Sequence, residues 1–289
     1  MKYARVGPRG QERPVILHDE AAWDLAGVTD DIDAAFLASG GLTRAADALA
    51  AGTLDRFDID GLRPGPCVRP GGAVICIGLN YAAHAAESGA ASPELPVIFL
   101  KTPNTVSGPD DPVQIPRDSV RTDWEVELAL VIGSRASYLD SPDQSIDHIA
   151  GFTVADDLSE RTFQLERSGG QWSKGKCCAG FTPTGPWLVT PDEVDYADLR
   201  LRSWVNGEPR QDSSTADLIF DVDYLVWHLS QYLVLEPGDL VLTGTPEGVA
   251  LSGRFPYLKA GDVVEVEIEG LGRQTHHFVP WQPAAAVAR

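Results

Sequence analysis

The alternation of apolar and polar residues along the chain predicts a protein built mainly of short strands. Downstream of residue 73, short apolar or alternating runs are separated by turns rich in Gly and Pro, and few helical periods intervene. Asn206-Gly207 predicts a two-residue hairpin, because both residues tolerate positive φ. One helix is predicted over about 221–235. The predicted strands are 74–79, 97–100, 124–132, 152–155, 187–190, 199–205, 239–243 and 263–269.

The first 70 residues predict a separate small unit of mixed α and β structure. Alternating runs predict strands at 3–6 and 14–18, and an Ala- and Leu-rich face predicts a helix over 31–50. Segment 62–72 is dense in Pro and Gly, which break regular structure, and it is the predicted linker. We therefore predict a β-rich α+β protein with a small N-terminal α+β domain at 1–70 and a catalytic domain at 71–289.

Composition and charge narrow the classes of partner. The net charge of −19 would repel nucleic acids and anionic membrane surfaces, so an anionic substrate would have to meet a local positive charge. No apolar run approaches the roughly 18 residues of a membrane span, and the N-terminus lacks the apolar core of a signal peptide. The four cysteines show neither disulfide-framework density nor metal spacing, so we expect free thiols and a cytoplasmic location.

A group of acidic residues is the first candidate for chemistry. Glu125 and Glu127 share one face of a predicted strand, where they would repel each other unless a cation or water compensates them. Asp157 follows the next predicted strand and could supply a third oxygen ligand; such oxygen-only ligands favour Mg²⁺ or Mn²⁺. Lys176 could restore neutrality and face an anionic substrate. Three ordinary alternatives remain open: a solvated edge strand for the glutamates, a helix cap for the aspartate and a solvated loop for the lysine.

Two further motifs could carry proton transfer and substrate contact. His84 and Glu87 are three residues apart, which makes their side chains neighbours on a helix, and a carboxylate beside an imidazole raises its basicity. An ordinary surface pair explains the same spacing. Thr245 lies in a Gly- and Pro-rich turn after an apolar strand, where a hydroxyl and backbone N–H groups could approach a ligand, although a plain turn is the alternative.

The order and local sequence of these motifs resemble the fumarylacetoacetate hydrolase family over about residues 73–280. The resemblance implies the family's rolled, mixed β-structure and a homodimer. It also implies a C–C bond hydrolase that uses a bound magnesium or manganese ion. The resembling blocks are IGLNYAAH at 77–84, VIFLK at 97–101, WEVEL at 124–128, GFTVADD at 151–157, GDLVLTGTPEGV at 238–249 and GLG at 270–272.

The resemblance also implies roles for individual residues. It implies that the ion is held by Glu125, Glu127 and Asp157. The remaining implied site residues are His84, Glu87 and Lys176 for catalysis, and Lys101, Arg161, Gln164 and Thr245 for substrate binding.

This chain departs from the family pattern close to the implied site. Where the family commonly has Asn before the ligand aspartate, this chain has Asp156, and Thr162 replaces a later acid. After Lys176 the segment 177–181 reads CCAGF, which lacks a hydroxyl, an acid and a second hydroxyl of the common pattern. We expect the small residues Ala179 and Gly180 to open the substrate pocket to bulkier acyl groups.

The sequence therefore predicts a metal-dependent hydrolase. Its predicted substrate is a small anionic β-diketo or acylpyruvate-type acid, whose C–C bond breaks through a stabilised enolate. Decarboxylation, hydration or isomerisation of a 2-keto acid would use the same enolate chemistry and is the nearest alternative. A catalytically silent metal- or partner-binding protein is an alternative of another class. The retention of the acidic group, Lys176 and the His84–Glu87 pair argues against it.

Overall fold

The structure is a computed structural model that describes residues 1–283. The predicted domain range 71–289 therefore ends with six residues outside the described part. The helices are α1 (Ala34–Ala38), α2 (Gly41–Ala50), α3 (Ala82–Glu87), α4 (Ser173–Lys176) and α5 (Val222–Ser230). The strands are β1 (Lys2–Val6), β2 (Arg13–His18), β3 (Ala21–Asp24), β4 (Arg56–Phe57), β5 (Val74–Gly78), β6 (Val97–Lys101), β7 (Val106–Ser107), β8 (Val113–Gln114), β9 (Thr122–Asp123), β10 (Val126–Ile132), β11 (Ile149–Asp156), β12 (Ser159–Glu160), β13 (Thr182–Val189), β14 (Arg200–Val205), β15 (Glu208–Ser214), β16 (Leu240–Leu242), β17 (Val263–Ile268) and β18 (Gly272–Val279).

A mixed sheet of eleven strands forms the centre of the molecule. Its order is β4-β3-β2-β1-β13-β11-β10-β16-β5-β6, and β7 pairs with β13 outside this path. Strand β10 lies near the middle, antiparallel to β11 and β16, and every one of its residues is buried. Because both faces of β10 are covered, any charged side chain on it has to find a partner inside the protein.

A second sheet of five strands, in the order β15-β14-β17-β18-β8, packs against one face of the large sheet. The core between them contains alternate residues of β10, including Leu128 and Leu130, together with Val264 and Val266 of β17. The β14–β15 hairpin turns at Asn206-Gly207, where both residues have positive φ, as the sequence predicts. A short sheet of β9 and β12 lies beside the site described below.

The N-terminal strands continue the large sheet. Strand β1 pairs with β2 on one side and with β13 on the other, so β2, β3 and β4 extend the same hydrogen-bonded ladder. Helices α1 and α2 cover the face opposite the five-stranded sheet, with Phe36 and Ala45 in a core shared with Ala129 and Val131 of β10. The division into domains near residue 70 stays a prediction.

Both long predicted helices are shorter in the structure. The helix predicted over 31–50 is wrong as a single element, because Gly40 adopts a left-handed conformation with φ 71° and separates α1 from α2. The helix predicted over 221–235 ends at Ser230. Beyond it, the backbone of Leu235 exchanges two hydrogen bonds of 3.0 Å with Ala136, which draws the chain out of the helix.

The strand predictions differ from the structure in two informative places. Strand β10 begins at Val126 and not at 124, because the N–H of Glu125 bonds the carboxylate of Asp156 at 2.8 Å and not a neighbouring strand. Strand β18 was missed, since it carries polar residues on its buried face, including Gln274 and His276. Hydrophobic periodicity identifies a strand by its apolar face, so it does not predict a strand whose buried face is polar.

All four cysteines are free, as predicted. Among residues 1–283, no helix has the length and apolar character needed to cross a membrane.

We predict that Gly40→Ala lowers the free energy of unfolding by about 1–2 kcal/mol, because an L-residue is strained at this left-handed position. An added Cβ at Gly40 would meet no atom within 4 Å, so the loss would reflect backbone strain alone. Gly27→Ala is the matched control, since Gly27 also has open space around it and no positive φ. Urea unfolding of both variants checks this, and equal stabilities would contradict it.

Candidate active site

Three buried carboxylates meet at the edge of β10. One oxygen from each of Glu125, Glu127 and Asp157 lies within 4.8 Å of the others; we call these residues the carboxylate cluster. The antiparallel register of β10 and β11 places Asp157 beside Glu125, and the N–H of Asp157 donates to the Glu125 carbonyl at 2.9 Å. The predicted alternatives of a solvated edge strand and a helix cap are therefore wrong, because these side chains are buried together.

Two lysines contact the carboxylate cluster. Lys176 Nζ lies 2.5 Å from Glu125 Oε2 and 2.7 Å from Asp157 Oδ2, while Lys101 Nζ lies 2.5 Å from Asp157 Oδ1. Burial lowers the pKa of Lys176, but the negative charges of Asp157 and Glu125 outweigh burial and raise it overall. Lys176 is thus a buried ammonium and not a solvated loop residue.

A buried arginine ties the cluster to a further aspartate. Arg161 donates from Nη2 to Glu125 Oε1 at 2.7 Å, from Nε to Asp123 Oδ2 at 2.8 Å and from Nη1 to Gln164 Oε1 at 2.8 Å. Asp123 also accepts the N–H groups of Ala250 and Leu251. The arginine therefore fixes one side of Glu125, and Lys176 fixes the other.

The two glutamates have opposite electrostatic environments. Burial raises the pKa of Glu125, but Lys176 and Arg161 outweigh it and lower the pKa to about 2. Burial, followed by repulsion from Asp157 and Glu125, raises the pKa of Glu127 well above its ordinary value. Among the described residues, the one hydrogen-bond donor to Glu127 is the Gly244 N–H at 2.8 Å. Glu127 is therefore the member of the cluster that lacks a cationic partner of its own.

His84 and Glu87 lie on α3, next to the cluster. His84 Nδ1 is 3.0 Å from Glu87 Oε1, and the Gly248 N–H and Arg254 bind the same carboxylate. His84 is buried and lines the cavity described below. The geometry orients the imidazole from its Nδ1 side, and among the described residues no other group bonds the ring. The pair is not an ordinary surface pair, since both side chains are largely buried.

The turn after β16 closes the site. Thr245 Oγ1 donates to the Val126 carbonyl and accepts from Gln211 Nε2, both at 2.8 Å. Gly244 has φ 102°, and an added Cβ would lie 2.8 Å from the Asn80 Cβ, so glycine is required for the turn to approach the segment before α3. Thr245 is more than a plain turn residue, because its hydroxyl is buried and lines the cavity.

The cavity beside these groups has a volume of about 240 Å³. It is small against the roughly 300–1,000 Å³ of typical ligand pockets, which suits a small substrate. Its polar lining includes the carboxylate cluster, His84 and Gln164. Its apolar lining is formed by Ile77, Leu79, Phe99, Leu165, Trp172 and Leu251.

Some predicted site residues lie elsewhere than expected. Lys101 does not line the cavity; its buried Nζ bonds Asp157 and, at 2.6 Å, the Phe181 carbonyl. This position favours a role in holding Asp157 over direct substrate contact. Ala179 and Gly180 line a separate groove that includes Ser107, so the expectation that they open the substrate pocket is wrong. After α4 the chain turns away from the site, and Gly180 takes φ 75°.

Sequence reasoning missed two residues of the site. The available signal for Asp123 is its position as an acid directly before a predicted buried strand. Its partner Arg161 lies 38 residues further along the chain, so the sequence does not show that the two side chains meet. Trp172 lies in a polar segment without periodicity, and its ring covers Gly78, where an added Cβ would lie 2.3 Å from the indole. Neither contact leaves a local signal in the sequence.

The comparisons with known proteins agree with this geometry. Residues 73–279 match the family described as fumarylacetoacetate (FAA) hydrolase, C-terminal. The chain belongs to the fumarylacetoacetate hydrolase family. The predictions of this family, of its β-rich fold and of an enzyme are confirmed.

Relatives of similar length extend the match over nearly the whole chain. A protein from Burkholderia multivorans, named only as a hydrolase, is 46% identical over 279 residues, which cover 95% of this chain and 97% of the relative. The 2,4-didehydro-3-deoxy-L-rhamnonate hydrolase of Sphingomonas sp. is 42% identical over 287 residues, which cover 98% of this chain and 97% of the relative. The similarity therefore includes the N-terminal segment as well as the family's C-terminal region.

Solved structures of the fumarylacetoacetate hydrolase family share the fold. The fumarylacetoacetate hydrolase of Exiguobacterium antarcticum has a TM-score of 0.86 at 33% identity, covering 97% of this chain and 100% of that one. The maleylpyruvate hydrolase of Sphingobium sp. SYK-6 was solved in complex with manganese(II) and pyruvate. It has a TM-score of 0.80 at 26% sequence identity, and the match covers 98% of this chain and 100% of that one. The 2-hydroxyhepta-2,4-diene-1,7-dioate isomerase of Mycobacterium marinum has a TM-score of 0.75 at 32% sequence identity, and the match covers 98% of this chain and 100% of that one. The family scaffold thus includes enzymes named as hydrolases and as isomerases.

We predict that Arg161→Met lowers the free energy of unfolding by about 3–5 kcal/mol, because it leaves buried Asp123 without a cation and removes one of the two cations that pair with Glu125. Arg200→Met is the control: Arg200 pairs with Asp212 on the surface, where water already solvates both groups, so its loss should change stability little. Chemical denaturation of the metal-free proteins measures the difference. A similar stability for both variants would show that the buried pairs contribute no more than an exposed one.

Proposed function

We propose that the protein is a divalent-metal-dependent hydrolase that cleaves a C–C bond in a small β-diketo or acylpyruvate-type acid. The observation that carries this proposal is the carboxylate cluster, which lies in the wall of a small cavity beside the His84–Glu87 pair. It combines a site for a hard cation with an oriented base, as such a hydrolysis requires.

The residues present fit a divalent ion. The cluster offers only oxygen ligands, which favour Mg²⁺ or Mn²⁺, and Glu127 lacks a cation of its own. A manganese ion in the maleylpyruvate hydrolase structure supports the same choice of metal. When bound between Glu125, Glu127 and Asp157, the ion would supply Lewis-acid stabilisation of negative charge on the substrate.

The charges around the cavity suit an anionic substrate. Four carboxylates, those of the cluster and Asp123, face the three buried cations Lys101, Lys176 and Arg161. A divalent ion would turn this excess of one negative charge into an excess of one positive charge. The site would then attract a carboxylate although the whole chain has a net charge of −19.

The side chains around the cavity supply proton transfer, charge balance and substrate positioning. His84, oriented by Glu87, takes a proton from the water that attacks the carbonyl carbon distal to the carboxylate. The C–C bond then breaks, its electron pair passes to the carbon next to the 2-keto group, and that carbon is protonated to give the second acid. Lys176 balances negative charge while the bond breaks. Gln164 and Thr245 line the cavity and position the substrate.

Isomerisation is the second candidate, favoured by the structural likeness to an enzyme named as an isomerase. Decarboxylation or hydration of a 2-keto acid would use the same enolate chemistry, and none of these reactions needs attack of water on a distal carbonyl. The part that His84 plays therefore separates them from hydrolysis. A homodimer and a cytoplasmic location remain predictions of the sequence.

We predict that removal of divalent metal with EDTA abolishes turnover of acylpyruvates and that Mg²⁺ or Mn²⁺ restores it, because the cluster has only oxygen ligands. Turnover is followed by mass spectrometry of the released acids, and circular dichroism checks that the chelated protein stays folded. Undiminished turnover in EDTA would refute metal dependence.

We predict that His84→Ala lowers the rate of acylpyruvate hydrolysis by about 10²–10⁴-fold, since general-base removal typically has this effect. Decarboxylation of oxaloacetate needs no attacking water, so we expect a smaller loss on that substrate. Both rates are measured at saturating Mg²⁺, with metal binding checked separately and with the exposed His18→Ala as control. Equal loss on both substrates would indicate a shared proton transfer, and no loss on the acylpyruvate would exclude His84 as the base.

A further inference from the structure

A second buried polar network lies directly behind the carboxylate cluster. Asp156 Oδ1 accepts the Glu125 N–H at 2.8 Å, and Asp156 Oδ2 lies 3.0 Å from His276 Nδ1. His276 Nε2 lies 2.8 Å from Gln274 Oε1. The side chains of Asp156, His276 and Gln274 belong to residues with no exposed surface. None of the three lines the cavity, so the network is not part of the substrate-binding surface.

The hydrogen-bond donors of this network can be assigned by elimination. Gln274 Nε2 lies 2.7 Å from the Val154 carbonyl and 3.0 Å from the Gly185 carbonyl, so it has to be the amide nitrogen and Oε1 has to accept. His276 Nε2 therefore carries a hydrogen. A second hydrogen lies between His276 Nδ1 and Asp156 Oδ2, because two bare acceptors would repel each other at 3.0 Å.

The network joins the two sheets at the point where the cluster is built. His276 and Gln274 belong to β18 of the five-stranded sheet, whereas Asp156 ends β11 of the large sheet. Asp156 holds the backbone of Glu125 on one side and precedes Asp157 in the chain. Any shift of the Asp156 side chain would move both neighbours, and groups that orient metal ligands in this way tune metal binding.

The carboxylate of Asp156 is buried without exposure to water. Such a group needs a hydrogen-bonding partner, and His276 is the side chain that supplies it.

We propose that His276 is a positioning residue for the metal site. It acts through Asp156, whose carboxylate fixes the Glu125 backbone and the turn that carries Asp157. Gln274 holds the imidazole from behind, so the position of two ligands of the cluster is set from the second sheet. The proposal rests on the function proposed above in one respect, namely that the carboxylate cluster binds a divalent ion.

The test compares His276→Leu with His277→Leu. His277 is the next residue of β18 and is exposed, so its replacement alters the same strand without touching the network. Calorimetry at a temperature well below thermal unfolding measures the Kd for Mn²⁺, and electron paramagnetic resonance reports the surroundings of the bound ion. We expect about a 10–100-fold weaker Kd and an altered spectrum for His276→Leu, and wild-type values for His277→Leu.

A merely structural role would lower the thermal midpoint of His276→Leu but leave the Mn²⁺ affinity of the folded protein unchanged, and that result overturns the proposal. His276→Asn keeps a donor at the place of Nδ1, so it should bind Mn²⁺ more tightly than His276→Leu; equal weakening in both variants overturns it too.

Should His276→Leu fail to fold, nuclear magnetic resonance of the wild-type protein decides. Addition of Mg²⁺ is expected to shift the imidazole N–H signal of buried His276 and leave the signals of exposed His277 in place; an unmoved His276 signal overturns the proposal.

The outcome is distinguishable from failure of the proposed function. Wild-type protein that binds Mn²⁺ but does not hydrolyse acylpyruvates would refute the function and leave the positioning role standing. Wild-type protein that binds neither Mn²⁺ nor Mg²⁺ would refute both.

Discussion

Buried carboxylates and buried cations hold the site together through their ion pairs. The carboxylate cluster and Asp123 are buried beside three cations, Lys101, Lys176 and Arg161. An unpaired ion in such an interior costs several kcal/mol, so Glu125, Asp157 and Asp123 are each held at hydrogen-bonding distance from a cation, while Glu127 accepts the Gly244 N–H. The folded backbone supplies that precision, because the cations come from three segments that are far apart in the sequence.

Strand β10 makes this arrangement possible. One of its faces carries Leu128 and Leu130 into the core between the two sheets, while the other carries Glu127 into the site and then continues with Ala129 and Val131. The apolar residues of β10 fix the strand between β11 and β16. This pairing also holds the end of the strand that carries Glu127. The register with β11 then places the third carboxylate of the cluster beside the first.

Two uncharged polar residues of the core, Gln211 and Gln274, also have their hydrogen bonds satisfied. Gln211 donates to the hydroxyl of Thr245 and to the Pro246 carbonyl, and Gln274 donates to two backbone carbonyls. Buried polar groups of this kind are tolerated only when their hydrogen bonds are satisfied, and satisfied networks hold a site in one arrangement. The five-stranded sheet thereby contacts the surroundings of the carboxylate cluster without a residue that lines the cavity.

Local sequence was sufficient for the β-rich class, the Asn206-Gly207 hairpin and the closeness of Glu125 and Glu127 at the start of β10. These features depend on local periodicity and on local turn chemistry, which can be observed within a few residues. Family motifs extended this to the carboxylate cluster, Lys176 and His84, whose positions the structure brings together.

Which charges face one another depends on the packing of segments that are distant in the sequence. This packing placed Lys101 behind Asp157 and outside the cavity, turned Gly180 away from the site and joined Asp156 to His276 across 120 residues of sequence. It also ended two predicted helices early, at a left-handed glycine and at a backbone pairing between distant loops. The physical reason is common to all these cases: hydrogen bonds and ion pairs between distant segments depend on how sheets and turns pack, and no local pattern of residues records that packing.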